Sequence, residues 1–446
     1  MHLIWENLVK NLITLWTGKF KGLDEGVGNY HLAEAIWKGV GADTATAGTT
    51  IPSAYGCRVP NIAQDGVSVT AEMWSFWSLY LGPALLRRRF KDKRYYNHFI
   101  DLVKLLNQCL QFEITKIDIQ NIRSGFIKWV NDYESYYYQH DPMRISACPV
   151  TIHALLHIAD GIEEWGPVWC YWAFPMERYC GKLQPAFRSR RFPYASLDRF
   201  VVEDAQLSQI KLTSGCADEI ALKVPRGAVQ GTYTHPFYPT CMLLPPCIET
   251  QPSKSQLQLI CAALATRVDA PISRIRPIVN KAHITQWGKV RRVDSTAGDT
   301  IHAASIVPER YDSRNATYVR YEAFEDKNQR YRNRNILLEL KTFYGQLQSI
   351  FVIKFEPQGQ AVIGQDTVIL AAVTTCNIEP DVDLKQTGLD LHTYTNEKNT
   401  NVVDITSIQC LVGRVKDDRG WVIIDRSGGL ARAVVEDDDD EDSDTT

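Results

Sequence analysis

In residues 168–193, VWCYWAFPMERYCGKLQPAFRSRRFP, an aromatic-dense run leads to one carboxylate, Glu177, followed by five basic side chains, Arg178, Lys182, Arg188, Arg190 and Arg191. Pro175 fits the first turn of a helix, where its missing N–H costs nothing, so Glu177 falls near the positive end of the helix dipole. A helix-mounted acid ahead of such a basic run has the chemistry of a metal-ligand carboxylate beside a phosphate backbone. The plainer reading, a glutamate favoured there by the dipole alone, stands beside it. Upstream, residues 149–167 begin with proline, end in Gly-Pro, and carry His153 and His157 on one helical face. Such a pair can ligate zinc, or it can be a hydrogen-bonded pair packed in a core.

The surrounding chain must position these groups. With 446 residues, 45% of them hydrophobic, it can bury a sizeable core in two or three units. Residues 3–20 carry a helical stripe (Ile4, Leu8, Leu12, Leu15, Trp16) that ends at Gly18. Residues 38–66, rich in Gly, Thr, Ala and Pro, read as a loop. From 69 to 139 the pattern is helical, with Phe99, Leu102, Val103, Leu106 and Leu110 on one face and Phe126, Trp129, Val130 and Tyr133 on another. Within it, the uncharged stretch 73–86 is too short to span a membrane and reads as buried core. The basic cluster RRRFKDKR at 87–94 reads either as a solvated helix cap or as a phosphate contact.

Beyond residue 212 the periodicity weakens, and 213–335 reads as an irregular basic connection. Its segment 270–293 holds no acid but Arg274, Arg276, Lys281, Lys289, Arg291 and Arg292, with Trp287 interleaved. That composition suits a DNA-backbone contact or an ordinary solvated basic face. A second basic run, KNQRYRNR, reads as part of a linker. Short β-branched runs at 344–355, 367–373, 402–405, 408–415 and 421–425 predict a small antiparallel sheet or barrel over 336–432. The net charge of −3 hides an asymmetry, since EDDDDEDSD at 436–444 contributes eight acids and leaves the remainder near +5. That tail, 433–446, has the composition of a solvated, disordered segment. Eleven cysteines without C-x-x-C spacing fit a reducing compartment, and the N-terminus lacks a secretory pattern, which leaves cytosol or nucleus.

The stretch HALLHIADGIEEWGPVWCYWAFPMERYCGKLQPAFRSRRFPYASLDRF resembles a region of CACTA (En/Spm-type) transposases, fungal type. There a His-Leu-x-x-His-Leu helix leads into Gly-Gly-Pro, a Trp-rich strand, Pro-Phe-Glu-Arg-Tyr-Leu-Gly and an Arg-rich helix. The opening MHLIWENLVKNLITLW is similar to the family's Asp-x-Met-His motif, with His2 on the motif's histidine, and NVVDITSIQCLVGRVKDDRGWVIIDRSGGL resembles its β-rich C-terminal region. The resemblance implies a DDE enzyme, in which three acids on an RNase H-like core hold two Mg2+ or Mn2+ ions for strand cleavage and transfer. Glu177 matches the third acid, with Glu72 in TAEMWSFW as the rival; the first two acids have no match in this chain. It also implies a structural Zn2+ site from His2, His153 and His157.

The expectation is therefore an α+β chain. A mainly helical region, 1–212, would hold the insertion and last helix of an RNase H-like core, followed by the β domain. Its function would be that of a transposase-derived fragment, inactive alone, with DNA at transposon ends as partner, homo-oligomeric assembly, no membrane association and a nuclear location. The alternative is a non-enzymatic DNA-binding or protein-interaction module derived from a transposon.

Overall fold

The computed structural model describes residues 2–20, 22–23, 28–187, 189–216, 220, 230–249, 251–293, 300–308, 313–328, 335 and 337–431. Arg188, the acidic tail and most of the second basic run lie outside the described residues.

The first half is helical. A π-helical turn, His2–Leu8, runs into α1 (Val9–Trp16), and Leu8, Leu12, Leu15 and Trp16 face inward as their spacing predicts. α2 (Glu34–Ala47) occupies the first part of the expected loop. Its glycines misled: Gly41 is small because the neighbouring chain lies against it, and a Cβ there would sit 2.2 Å from the Asn61 side chain. α3 (Ala71–Phe76) starts at Thr70, whose hydroxyl accepts from the Met73 N–H, and continues through a π-helical turn, Trp77–Leu81, into α4 (Gly82–Leu85). α5 (Lys93–Cys109) is capped by Asp92, and α6 (Lys116–Tyr133) by a reciprocal Thr115–Asp118 box. Both predicted stripes of α5 and α6 are buried, and Trp16 packs edge-on against Phe99 with centroids 5.7 Å apart. α7 (Val150–Ala154) lies against the His2–Leu8 turn, and α8 (Ile158–Trp165) covers α6. α9 (Phe174–Leu183) and α10 (Pro193–Ser214) follow. No strand precedes Cys241 among the described residues, so the sheet of an RNase H-like core is not part of this half. No described helix is long and apolar enough to cross a membrane.

Among the described residues, the second half places its strands in one antiparallel sheet of ten. In chain order it comprises β1 (Cys241–Ile248), α11 (Lys254–Arg267), α12 (Ile272–Lys281), β2 (His283–Arg292), β3 (Thr300–His302), β4 (Tyr318–Asp326), β5 (Leu338–Lys354), α13 (Pro357–Ile363), β6 (Thr367–Glu379), α14 (Val382–Thr387), β7 (His392–Asp404), β8 (Ile408–Leu411), β9 (Gly413–Asp417) and β10 (Gly420–Ile424). β4 pairs with both β5 and β8, while β5–β6–β7–β10–β9 run in sequence. β8 and β9 are interrupted only at Val412, whose N–H donates to Tyr318 O at 2.9 Å, so this part of the sheet closes into a ring. The α+β class holds, and the predicted β runs all lie in strands or at their ends. The segment 213–335 is not an irregular connection, because β1 to β4, α11 and α12 all fall within it. β1 was hidden by Pro245 and Pro246; it is an edge strand, where proline is tolerated, and its register with β2 shifts between Leu244 and Cys247.

The halves share a core. Val415, Val422 and Ile424 of the ring pack among the helical side chains, while α11 and α12 cover the sheet through Ile260, Leu264, Ile275 and Val279. Tyr55 OH donates to Leu411 O at 2.9 Å, and Arg414 N–H donates to Thr50 O at 3.1 Å. The first three members of the 87–94 basic cluster belong to this junction, where carboxylates take them up, while Lys91, Lys93 and Arg94 stay exposed as a solvated face would. Buried Arg87 bonds Asp381 at 2.6 Å and also Asp417. Arg88 pairs with Asp383 at 2.9 Å, and Arg89 approaches Asp418 at 3.3 Å and Asp43 at 3.5 Å.

Candidate nucleic-acid interface

α9 begins as the sequence requires, with Pro175 and Glu177 in its first turn. The 3-10 turn Gln184–Ala186 and a short loop lead to α10, which also opens on proline. Two contacts tie the helices together: Lys182 Nζ lies 2.9 Å from Asp204, and Ser196 Oγ donates to Ala186 O at 2.9 Å. The connecting loop is braced where Phe192 N–H donates to Ser189 Oγ at 3.1 Å. Neither helix has a fully buried residue; α9 touches the core at its start through Phe174, and beyond that point the pair presents mostly exposed side chains.

The geometry sorts the basic residues into spent and free. Lys182 is spent on Asp204. Arg178, Arg190 and Arg191 are exposed and have no carboxylate partner among the described residues; Arg191 lies over the Phe192 ring, 5.3 Å from its centroid. In the second basic stretch, Arg274, Arg276 and Lys281 are exposed on α12 and likewise unpaired among the described residues. The β2 members are tied to the sheet. Arg291 Nε donates to Thr300 Oγ1 at 3.0 Å, and Arg292 donates to Ile408 O at 2.6 Å, so Arg292 straps β2 to β8; Lys289 is half-buried. Trp287 is core, not a stacking platform.

The acid and histidine candidates fall into two groups. His2 Nε2 lies 3.1 Å from Glu177 Oε1 and its Nδ1 bonds Glu6, so both ring nitrogens face carboxylates. Glu72, the rival acid, sits half-buried in the first turn of α3, with its carboxylate close to Gly56. His153 and His157 come together, with Nε2 atoms 3.2 Å apart, and Asp160 lies 3.6 Å from His157 Nδ1. Two nitrogens each about 2 Å from a tetrahedral zinc are separated by roughly 3.3 Å, so this pair has the bite of a two-nitrogen chelate. His2 does not join it, and among the described residues no three His, Cys, Asp or Glu side chains are arranged to hold a metal. The residues present thus supply half of a tetrahedral zinc site. One helix-mounted carboxylate at Glu177 does not make a two-metal site, which needs several.

Zinc titrated by calorimetry should bind the pair, and His157→Ala should weaken it at least tenfold, since loss of an outer-shell partner alone costs about that much. Equal affinity of the wild type and variant would remove the chelate.

The exposed aromatic side chains around the α9–α10 loop emerge as a feature only in the structure, although their interleaving with arginine is visible in the sequence. All eleven cysteines are thiols. No protein-family model, curated protein or solved structure matches this chain.

Proposed function

We propose that the chain is a transposon-derived DNA-binding protein of CACTA (En/Spm) type, with the α9–α10 pair as its principal contact to the phosphate backbone and α12 as a second, separate patch. The observation that carries this reading is the sorting of the arginines. Arg87, Arg88 and Arg89 are consumed by carboxylates, whereas Arg178, Arg190 and Arg191 stand exposed and uncompensated on a projecting element. Free cations on such an element meet phosphates by counterion release, with little sequence preference. The motif order from His153 to Arg191 supports the transposase lineage, which in turn suggests a nuclear location and self-assembly on DNA ends. Within that lineage Glu177 is the third acid of a complete enzyme, and on its own it supports binding, not strand cleavage. The protein-interaction module is the alternative reading.

The test is duplex binding across a salt series. The logarithm of affinity should fall linearly with the logarithm of salt concentration, and replacing Arg178, Arg190 and Arg191 by Gln should reduce that slope by about 2.7, at 0.9 for each phosphate no longer neutralised. Glu177→Gln should leave binding intact. Binding that ignores salt, or no retention at low salt, rules the proposal out.

A further inference from the structure

Four exposed aromatic rings share the stretch 178–194 with the unpaired arginines. Tyr179 is 40% exposed, Phe187 48%, Phe192 61% and Tyr194 78%. None packs into a core cluster, and neither helix buries a residue that would explain them. Large rings held in water on a braced loop lose the stabilisation that burial would bring. The loop is nonetheless fixed by the Lys182–Asp204 pair and the Ser196–Ala186 and Phe192–Ser189 hydrogen bonds. The rings are therefore held in place and open to solvent, with the Arg191 guanidinium over one face of Phe192.

The charges between 177 and 194 decide what covers them. Lys182 is taken by Asp204, so among the described residues of this stretch one carboxylate, Glu177 beside His2, stands against three unpaired cations: Arg178, Arg190 and Arg191. Arg191 lies over Phe192, which sets a phosphate-binding group against a ring. Aromatic faces interleaved with unpaired cations are the pattern that single-stranded nucleic acid meets, its bases on the rings and its backbone on the cations. A paired duplex hides its base faces and can use only the cations.

We propose that the α9–α10 loop is a stacking platform for unpaired bases, with Phe192 and Tyr194 as its principal rings, so that the chain holds single-stranded nucleic acid more tightly than duplex. This rests on the DNA-binding reading above and names the form of the ligand. A protein partner laid over the same rings is the competing occupant, and the unbalanced positive charge disfavours it.

The experiment measures fluorescence anisotropy of the full chain with a labelled oligo-dT of about 15 nucleotides and with a duplex of the same length, against Phe192→Leu and Tyr194→Leu, singly and together. Leucine keeps an apolar side chain and removes the π-face. Each substitution should weaken oligo-dT binding roughly tenfold and change duplex binding by less than about twofold. Duplex binding retained together with unchanged oligo-dT affinity in the double variant overturns the stacking platform and leaves the DNA-binding reading standing. No binding of either form at low salt overturns both.

Discussion

Arg87→Met should destabilise the protein by about 3 to 5 kcal/mol, seen as a lower urea midpoint, although residue 87 lies far from the α9–α10 loop. The guanidinium is only 4% exposed and bridges Asp381 of the α14 cap to Asp417 of β9. Truncating it sets two carboxylates, only 16% and 11% exposed, against an apolar side chain, with backbone N–H groups and, for Asp381, Arg88 at 3.7 Å as their remaining partners. The penalty is therefore mainly that of under-compensated charge and not of a single missing hydrogen bond. Arg87→Lys should recover only part of the loss, because a single ammonium does not reproduce the fork that reaches both acids. Arg88→Met, at a partly exposed pair, should cost no more than about 1 kcal/mol. Burial works against the charge on Asp381, yet the Leu384 N–H and the Arg87 guanidinium hold its carboxyl below the usual range. That contribution is therefore complete above about pH 3.9 and is lost as the pH falls through the lowered value. Equal midpoints for the wild type and Arg87→Met would show that the junction does not depend on this bridge.

A second large effect is expected on mild acidification. His98 is buried on α5, stacked on Trp129 with ring centroids 4.3 Å apart, and its Nε2–H donates to Trp129 O at 3.1 Å, which fixes the tautomer. Burial pushes its pKa down to about 4. The folded protein thus keeps the ring neutral while the unfolded chain takes up a proton near pH 6.5, so stability is complete above 6.5 and declines between 6.5 and about 4. The full decline amounts to roughly 3 kcal/mol, at 1.36 kcal/mol per pH unit. His98→Gln, which cannot titrate and retains an N–H donor, should flatten that part of the profile. A variant whose stability falls as steeply as that of the wild type over this window would remove His98 as the source.

What the sequence revealed depended on whether a signal was local. The α5 and α6 stripes were legible because Phe99, Leu102, Val103 and Leu106, and Phe126, Trp129 and Tyr133, repeat with the helix, and β6 because its run is nearly all apolar. α2 was lost because its glycines signal a loop, whereas Gly41 serves close packing. β4 was lost because YVRYEAFED is interrupted by charge, and only part of it is buried. At the candidate site, Pro175 and Glu177 announced their helix turn. Which arginines are free could not be read, because the partners of Arg87 lie 294 and 330 residues away in sequence and pairing is decided only in three dimensions. The union of His2 with Glu177 is of the same kind.

The ring's packing against the helices also governs the order in which the chain can be made. Val415, Val422 and Ile424 complete the core that begins at Ile4, and Tyr55 waits for Ile424, 369 residues downstream, for one of its hydrogen bonds. At a ribosomal rate of about 5–20 residues per second, that wait is on the order of 20 to 70 s. During it the helices emerge with the surface meant for the last strands uncovered, and closure depends on pairings of very long sequence separation, which form slowly. Apolar surface left open for that long is the kind on which nascent chains aggregate. A stop codon anywhere before β9 would release not a smaller folded helical protein but one with an open core, destined for aggregation or proteolysis.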